Sequence, residues 1–167
     1  MDEQMDPLNP RRKQLRLKEY DYSQPGSYFV TVCTHERQCL FSSYVGAHLC
    51  VRPHEESNFI VRWMLELEKK YPGITMDSAC VMPDHVHMII EITGAHIGAP
   101  LPEIIKWYKT QTTNEYIRKV RAGELLPYEK HVWQRGYYEH VIRNEAELNE
   151  IRQYIENNPQ KLEEEAL

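Results

Sequence analysis

The stretch ITMDSACVMPDHVHMIIEI, residues 74–92, decides the fold. It is apolar and β-branched on both sides of Met82-Pro83-Asp84. Proline cannot donate to a sheet ladder, so the stretch reads as two strands broken at that point. Side chains alternate along a strand, so His85 and His87 point the same way, about 7 Å apart. Val86, Met88 and Ile90 take the opposite face. The second strand is therefore amphipathic, and its polar side is two imidazoles.

The neighbouring segments supply the rest of the architecture. SYFVTVCT, residues 27–34, alternates and reads as a strand. From Asn58 to Tyr71 the positions Ile60, Trp63, Met64, Leu67 and Tyr71 keep helical spacing, with Ser57 as N-cap and Pro72-Gly73 as the stop. Residues 103–122 read as a second helix. HVWQRGYYEHVI, residues 131–142, reads as a strand. NEAELNEIRQYIENNP opens a last helix, in which Asn144 and Glu147 form a capping-box pattern and Pro159 is the end. The order β-α-β-β-α-β-α predicts an α+β, ferredoxin-like (RRM-like) domain, an antiparallel sheet with helices on one face. The Val86 face is then the core, and the histidines lie on the other face.

A chain of 167 residues is long enough for one domain with a core. We divide it into a polar, basic N-terminal arm (1–26), a single domain (27–160) and an acidic tail (161–167). No apolar run approaches the ~20 residues of a membrane span, and MDEQMDPLNP is no signal peptide, so the expected location is cytoplasmic. Cys33, Cys39, Cys50 and Cys80 form no C-x-x-C pair and read as small apolar residues; Cys33, His35 and Cys39 fit no zinc spacing. The net charge of −5 weighs against wholesale nucleic-acid binding. Local charge decides more, and RRKQLRLK, residues 11–18, is a basic run.

Two imidazoles on one face can share a metal ion or contact a phosphate, but two ligands do not make a site. The last helix offers more. Leu148, Ile151 and Ile155 form its buried stripe. Tyr154 lies roughly 90° from the centre of that stripe, with Asn158 one turn on. Periodicity alone makes Tyr154 a boundary tyrosine and Asn158 a cap before Pro159.

Four stretches in order, SYFVTVCTHERQCLF, MPDHVHMII, VWQRGYYEHVIRNEAEL and YIENNP, carry a resemblance. The chain resembles the HUH single-tyrosine transposases, and is most similar to the REP-associated tyrosine transposases and related insertion-sequence transposases. That resemblance implies that His85 and His87 are metal ligands, that Tyr154 is the nucleophile and that Asn158 completes the metal site. It implies Mg²⁺ or Mn²⁺ as cofactor, and a DNA strand transferase or endonuclease. The activity it implies is metal-dependent cleavage and rejoining of single-stranded or hairpin DNA through a covalent 5′-phosphotyrosine intermediate. Relatives are monomers or homodimers, which leaves open whether the site forms within one chain. Tyr116, Tyr137 and Tyr138 rank lower as nucleophiles because none has an amide four residues on.

Candidate DNA contacts are Arg11, Arg12 and Arg16 in the arm, Lys106, Lys109 and Arg118 on the second helix, and Arg135 and Arg143 beside the fourth strand; a solvated face is the competing reading of the helix. His140 reads as a strand histidine. The alternative function is a non-catalytic ferredoxin-like nucleic-acid-binding domain. A histidine-triad hydrolase would need a third alternating histidine, where this chain has Ile89.

Overall fold

The structure is a computed structural model that describes residues 17, 19–44, 58–94 and 99–165, with side chains described as far as Pro159. Arg11, Arg12, Arg16, Cys50 and Ser57 lie outside the described residues. The elements in chain order are β1 (Gly26–Cys33), α1 (Phe59–Lys70), β2 (Ile74–Met82), β3 (His85–Ile92), α2 (Leu101–Arg121), β4 (Tyr138–Ile142) and α3 (Glu145–Glu165). The four strands form one antiparallel sheet in the order β2-β3-β1-β4, the ferredoxin-like arrangement.

Residues 74–92 form a hairpin whose two-residue turn is Pro83-Asp84, with Met82 opposite His85. The turn is tied to the segment after β1. The Asp84 carbonyl accepts from the Thr34 amide at 2.9 Å and from the Thr34 hydroxyl at 3.0 Å, and the Pro83 carbonyl accepts from the Phe41 amide at 2.9 Å. Thr34 is fully buried, so these bonds are shielded from water.

Alternation sorts the sheet into two faces. Tyr28, Val30 and Val32 of β1 and Val86, Met88 and Ile90 of β3 are buried beneath α1 and α2, which supply Phe59, Ile60, Met64, Leu67, Ile104, Ile105 and Tyr108. Glu115 of α2 ties the two helices together. Its carboxylate accepts from Trp63 Nε1 at 2.6 Å and pairs with Arg62 and Arg118. These contacts hold its carboxyl below the usual range although burial opposes them. α3 packs on the opposite face, where Leu148 and Ile155 meet Cys80, Met82, Ile89 and Ile142, with Phe29 and Ile151 at the margin. Two helices therefore cover the main core as the fold class requires, and the third crosses the histidine face.

Three local expectations are corrected. Asn58, not Ser57, caps α1: its side chain accepts from the amides of Ile60 and Val61. The predicted strand over 131–142 is a strand only from Tyr138. Before it, a single bridge joins Trp133 to Thr34, and Trp133 is buried with its Nε1 on Thr112 at 2.9 Å. Tertiary burial has pulled this β-prone segment out of the ladder. Pro159 does not end α3, which continues through it. Proline lacks the N–H that would reach the Ile155 carbonyl, yet its ring is buried against the fold. Asn158 is accordingly inside the helix and is not its C-cap.

Candidate active site

The register of the sheet builds the site. Cys80, His87, Thr31 and Tyr138 stand in one row across the four strands, and Met82, His85 and Cys33 in the next. His87 is buried and His85 half-buried. Their Nε2 atoms face each other at 3.1 Å. Both Nδ1 atoms are already engaged: His85 Nδ1 meets Asp84 Oδ1 at 2.6 Å, and His87 Nδ1 meets the Thr31 hydroxyl at 2.8 Å. Arg37 holds the other carboxylate oxygen of Asp84 at 2.8 Å and donates to Cys33 Sγ at 2.9 Å. Arg37 and its neighbour Glu36 adopt left-handed backbone conformations, φ 57° and 52°. Such backbone persists only where the surroundings impose it. Burial, reinforced by His85 and Arg37, pushes His87 down to about 3, so its ring is neutral near pH 7.

The tyrosine expected to meet this pair does so within the same chain. The Tyr154 ring packs edge-on against the His87 ring at 5.4 Å between centroids and against Phe29 at 6.2 Å, while Phe29 stacks on His87 at 5.4 Å. Tyr154 is 47% exposed. α3 is held in place by more than its apolar stripe. Arg152 donates through Nε and Nη2 to the two carboxylate oxygens of Asp77 at 2.8 and 2.5 Å. Asp77 sits where the β2 ladder is irregular, between Met76 and Ser78; such an extra residue re-aims a side chain. At the helix start the Glu147 amide donates to Asn144 Oδ1 at 2.9 Å, as the capping pattern predicts. The Glu147 carboxylate, instead of closing the box, accepts from the Arg143 amide at 2.8 Å and meets His140 Nε2 at 2.6 Å. His140 is thus a strand histidine paired to the α3 N-terminus.

The donor set fits a divalent cation in two respects. Each imidazole turns its Nε2 toward the other while its Nδ1 is held by an oxygen, the outer-shell pattern of metal-binding histidines. Adjacent ligands about 2.1 Å from an octahedral ion lie about 3.0 Å apart, close to the gap between these two nitrogens. Asn158, one turn after Tyr154, has a buried Nδ2 with no hydrogen-bond partner; an amide binds a cation through its oxygen, so this nitrogen is not itself a ligand. Among the described residues no three His, Cys, Asp or Glu side chains gather into a metal site.

The other candidates divide. Tyr116 is buried in the main core with its hydroxyl on the Leu126 carbonyl, and Tyr137 is buried, so neither presents a free nucleophile. Tyr138 is exposed and its ring lies 6.4 Å from Phe29. Lys106, Lys109 and Arg135 line one cleft, Arg118 pairs with Glu115, and Arg143 stands exposed at the α3 start. Sequence reading missed Thr31, Asp84, Arg37, Phe29 and the Arg152–Asp77 clamp. Asp84 alone carried a local signal, as the acid directly before His85 in the turn.

A family model described as "Transposase IS200 like" matches residues 27–158. The chain belongs to the IS200-like transposase family. A Haemophilus influenzae protein without an assigned function is 32% identical over 160 residues, covering 89% of this chain and 88% of that protein. A second protein of that organism, named as a REP-associated tyrosine transposase, is 26% identical over 144 residues, covering 84% of this chain and 74% of its own length. A solved REP-associated tyrosine transposase bound to a REP hairpin shares the fold with a TM-score of 0.62 at 20% identity, covering 87% of this chain and 73% of that one. Membership places this IS200-like protein among DNA-processing enzymes of transposition and recombination. Among its described residues no helix is long and apolar enough to cross a membrane.

Proposed function

We propose that this IS200-like protein cuts and rejoins single-stranded or hairpin DNA with Tyr154 as nucleophile, in the presence of Mg²⁺ or Mn²⁺ held by His85, His87 and Asn158. The observation that carries the reading is the contact of the Tyr154 ring with His87 beside the facing imidazole nitrogens. Hairpin DNA as substrate is favoured by the structural relative described as bound to a REP hairpin. When bound, the cation supplies Lewis-acid polarisation of a non-bridging phosphate oxygen. A set of imidazoles and an amide suits Mn²⁺ better than Mg²⁺, which prefers oxygen ligands.

The remaining chemistry belongs to the chain. The Tyr154 hydroxyl gives up its proton, its oxygen forms a bond to phosphorus, the bond from phosphorus to the 3′-oxygen breaks, and the departing oxygen takes up a proton. The product is a 5′-phosphotyrosine and a free 3′-hydroxyl. One phosphodiester replaces another, so a 3′-hydroxyl can reverse the step without ATP. Phe29 and His87 hold the phenol ring on its edge, which restricts the directions from which it can attack. Neutral His87 has no net proton to lose on binding a cation, only its tautomer to set. A non-catalytic sheet-face binder would need that face open, whereas α3 packs across it.

The test is incubation with single-stranded hairpin DNA and Mn²⁺, followed by denaturing electrophoresis. A protein–DNA adduct that disappears in Tyr154→Phe, with DNA binding retained, is the expected result. An adduct that persists in Tyr154→Phe would refute the assignment.

A further inference from the structure

A cleft of about 860 Å³ opens between α2 and the chain leading into β4. Lys106, Lys109, Lys130, His131 and Arg135 line it, and among the described residues no aspartate or glutamate does. In a chain of net charge −5 this is a marked segregation of positive charge. The Lys109 amine meets the carbonyls of Gln134, Arg135 and Gly136 at 2.5, 3.1 and 3.4 Å, and so fixes the wall. Lys106, Lys130 and Arg135 are exposed; Lys130 also approaches Glu36, at 3.8 Å.

The cleft is joined to the tyrosine face around an edge of the sheet. β4 is the edge strand. Tyr137 lines the cleft. Tyr138, the next residue, belongs to the row of Thr31 and His87 on the opposite face, and it is 46% exposed. Two consecutive tyrosines therefore straddle the edge between a cationic groove and the candidate nucleophile. A flexible polyanion with stackable bases matches that combination; a groove of cations beside open aromatic rings is how single strands are held without sequence readout.

Building on the Tyr154 reading, we propose that single-stranded DNA flanking the attacked phosphate passes over the β4 edge into this cleft. Tyr138 stacks a base at the crossing, and Lys106, Lys130 and Arg135 take the phosphates. The test is fluorescence anisotropy with labelled oligothymidylate of about 16 nucleotides, across a salt series. The double variant Lys106→Gln/Arg135→Gln should lose about tenfold in affinity and flatten the log–log salt slope by about 1.4, about 0.7 per lost contact on a single strand. Tyr138→Ala should weaken binding by about tenfold with the slope unchanged. Wild-type affinity and slope in the double variant would overturn the proposal, as would equally tight binding of the same length of duplex. Binding is read without strand cleavage, so this outcome stands apart from the adduct assay. An adduct surviving Tyr154→Phe defeats the strand-cutting reading whatever the cleft does, and an indifferent cleft leaves Tyr154 untouched.

Discussion

Thr31 governs the state of the imidazole pair. His85 Nδ1 donates to the Asp84 carboxylate, so Nε2 is the nitrogen that this ring turns to His87. His87 Nε2 meets that nitrogen at 3.1 Å, and His87 Nδ1 meets the Thr31 hydroxyl at 2.8 Å. To offer Nε2 to a metal, neutral His87 carries its proton on Nδ1 and donates it to that hydroxyl; in the other tautomer Nδ1 accepts from it. A hydroxyl can serve in both states, and a methyl in neither. Thr31→Val should therefore lower Mn²⁺ affinity by about 10- to 100-fold, the usual effect of losing an outer-shell partner, while Thr31→Ser keeps it. Titration followed by electron paramagnetic resonance distinguishes the two; equal affinity in both variants removes Thr31 from this role.

His87 also sets an acid limit. The unfolded chain protonates it near its ordinary 6.5, whereas the folded protein resists down to about 3. The neighbours that face it are His85 and Arg37, which oppose its charge, and Asp84, which favours it. Between those two values the unfolded state binds more protons, so the contribution of His87 to stability is flat above 6.5 and falls as pH falls below it. Urea midpoints measured in metal-free buffer should decline over that window, and less steeply in His87→Asn. A decline of equal steepness in both proteins would assign the acid sensitivity elsewhere.

At the scale of elements, α3 is the part whose position matters most and whose hold is most local. It rests on a small apolar cluster around Ile155 and on the Arg152–Asp77 clamp. Ile155→Ala removes a fully buried side chain and should cost about 2–5 kcal/mol in denaturant unfolding. Arg152→Ala leaves Asp77 partly buried without its partner and should loosen α3 with a smaller global loss. Hydrogen exchange in α3 should then rise with β1 and β3 unchanged, and adduct formation should slow; exchange confined to its wild-type rate would mean that the apolar cluster alone seats the helix. None of this clamp was legible in the sequence, because Asp77 and Arg152 are joined only through a ladder irregularity and the docking of a distant helix. What was legible has a local cause: the proline turn at 83, the alternation of His85 and His87, the helical stripes of α1 and α3, the Asn144 cap. Residues 131–137 and Pro159 went astray because burial overrode strand propensity in one case and helix-breaking in the other.

For the whole molecule, the consequence is a candidate site contained within a single chain. Sequence reading left open whether the tyrosine reaches its own histidines or those of a second copy. Here the short link Arg143–Asn144 between β4 and α3 returns the helix across its own sheet, and the Tyr154 ring lands on His87 of the same chain. The Glu147–His140 pair and the Arg152–Asp77 pair both reinforce that return. Tyr154→Phe and His87→Ala, each expected to be inactive, lack different halves of this arrangement. If each chain builds its own site, mixing them restores nothing, since neither contains both groups. If helices are exchanged between two copies, a mixed pair would contain one complete site, and adduct would reappear on the His87→Ala chain, which alone keeps the tyrosine. We expect no recovery, measured with chains of different length so that the labelled partner is identified on a gel; adduct on the His87→Ala chain would show that α3 docks on a partner in solution.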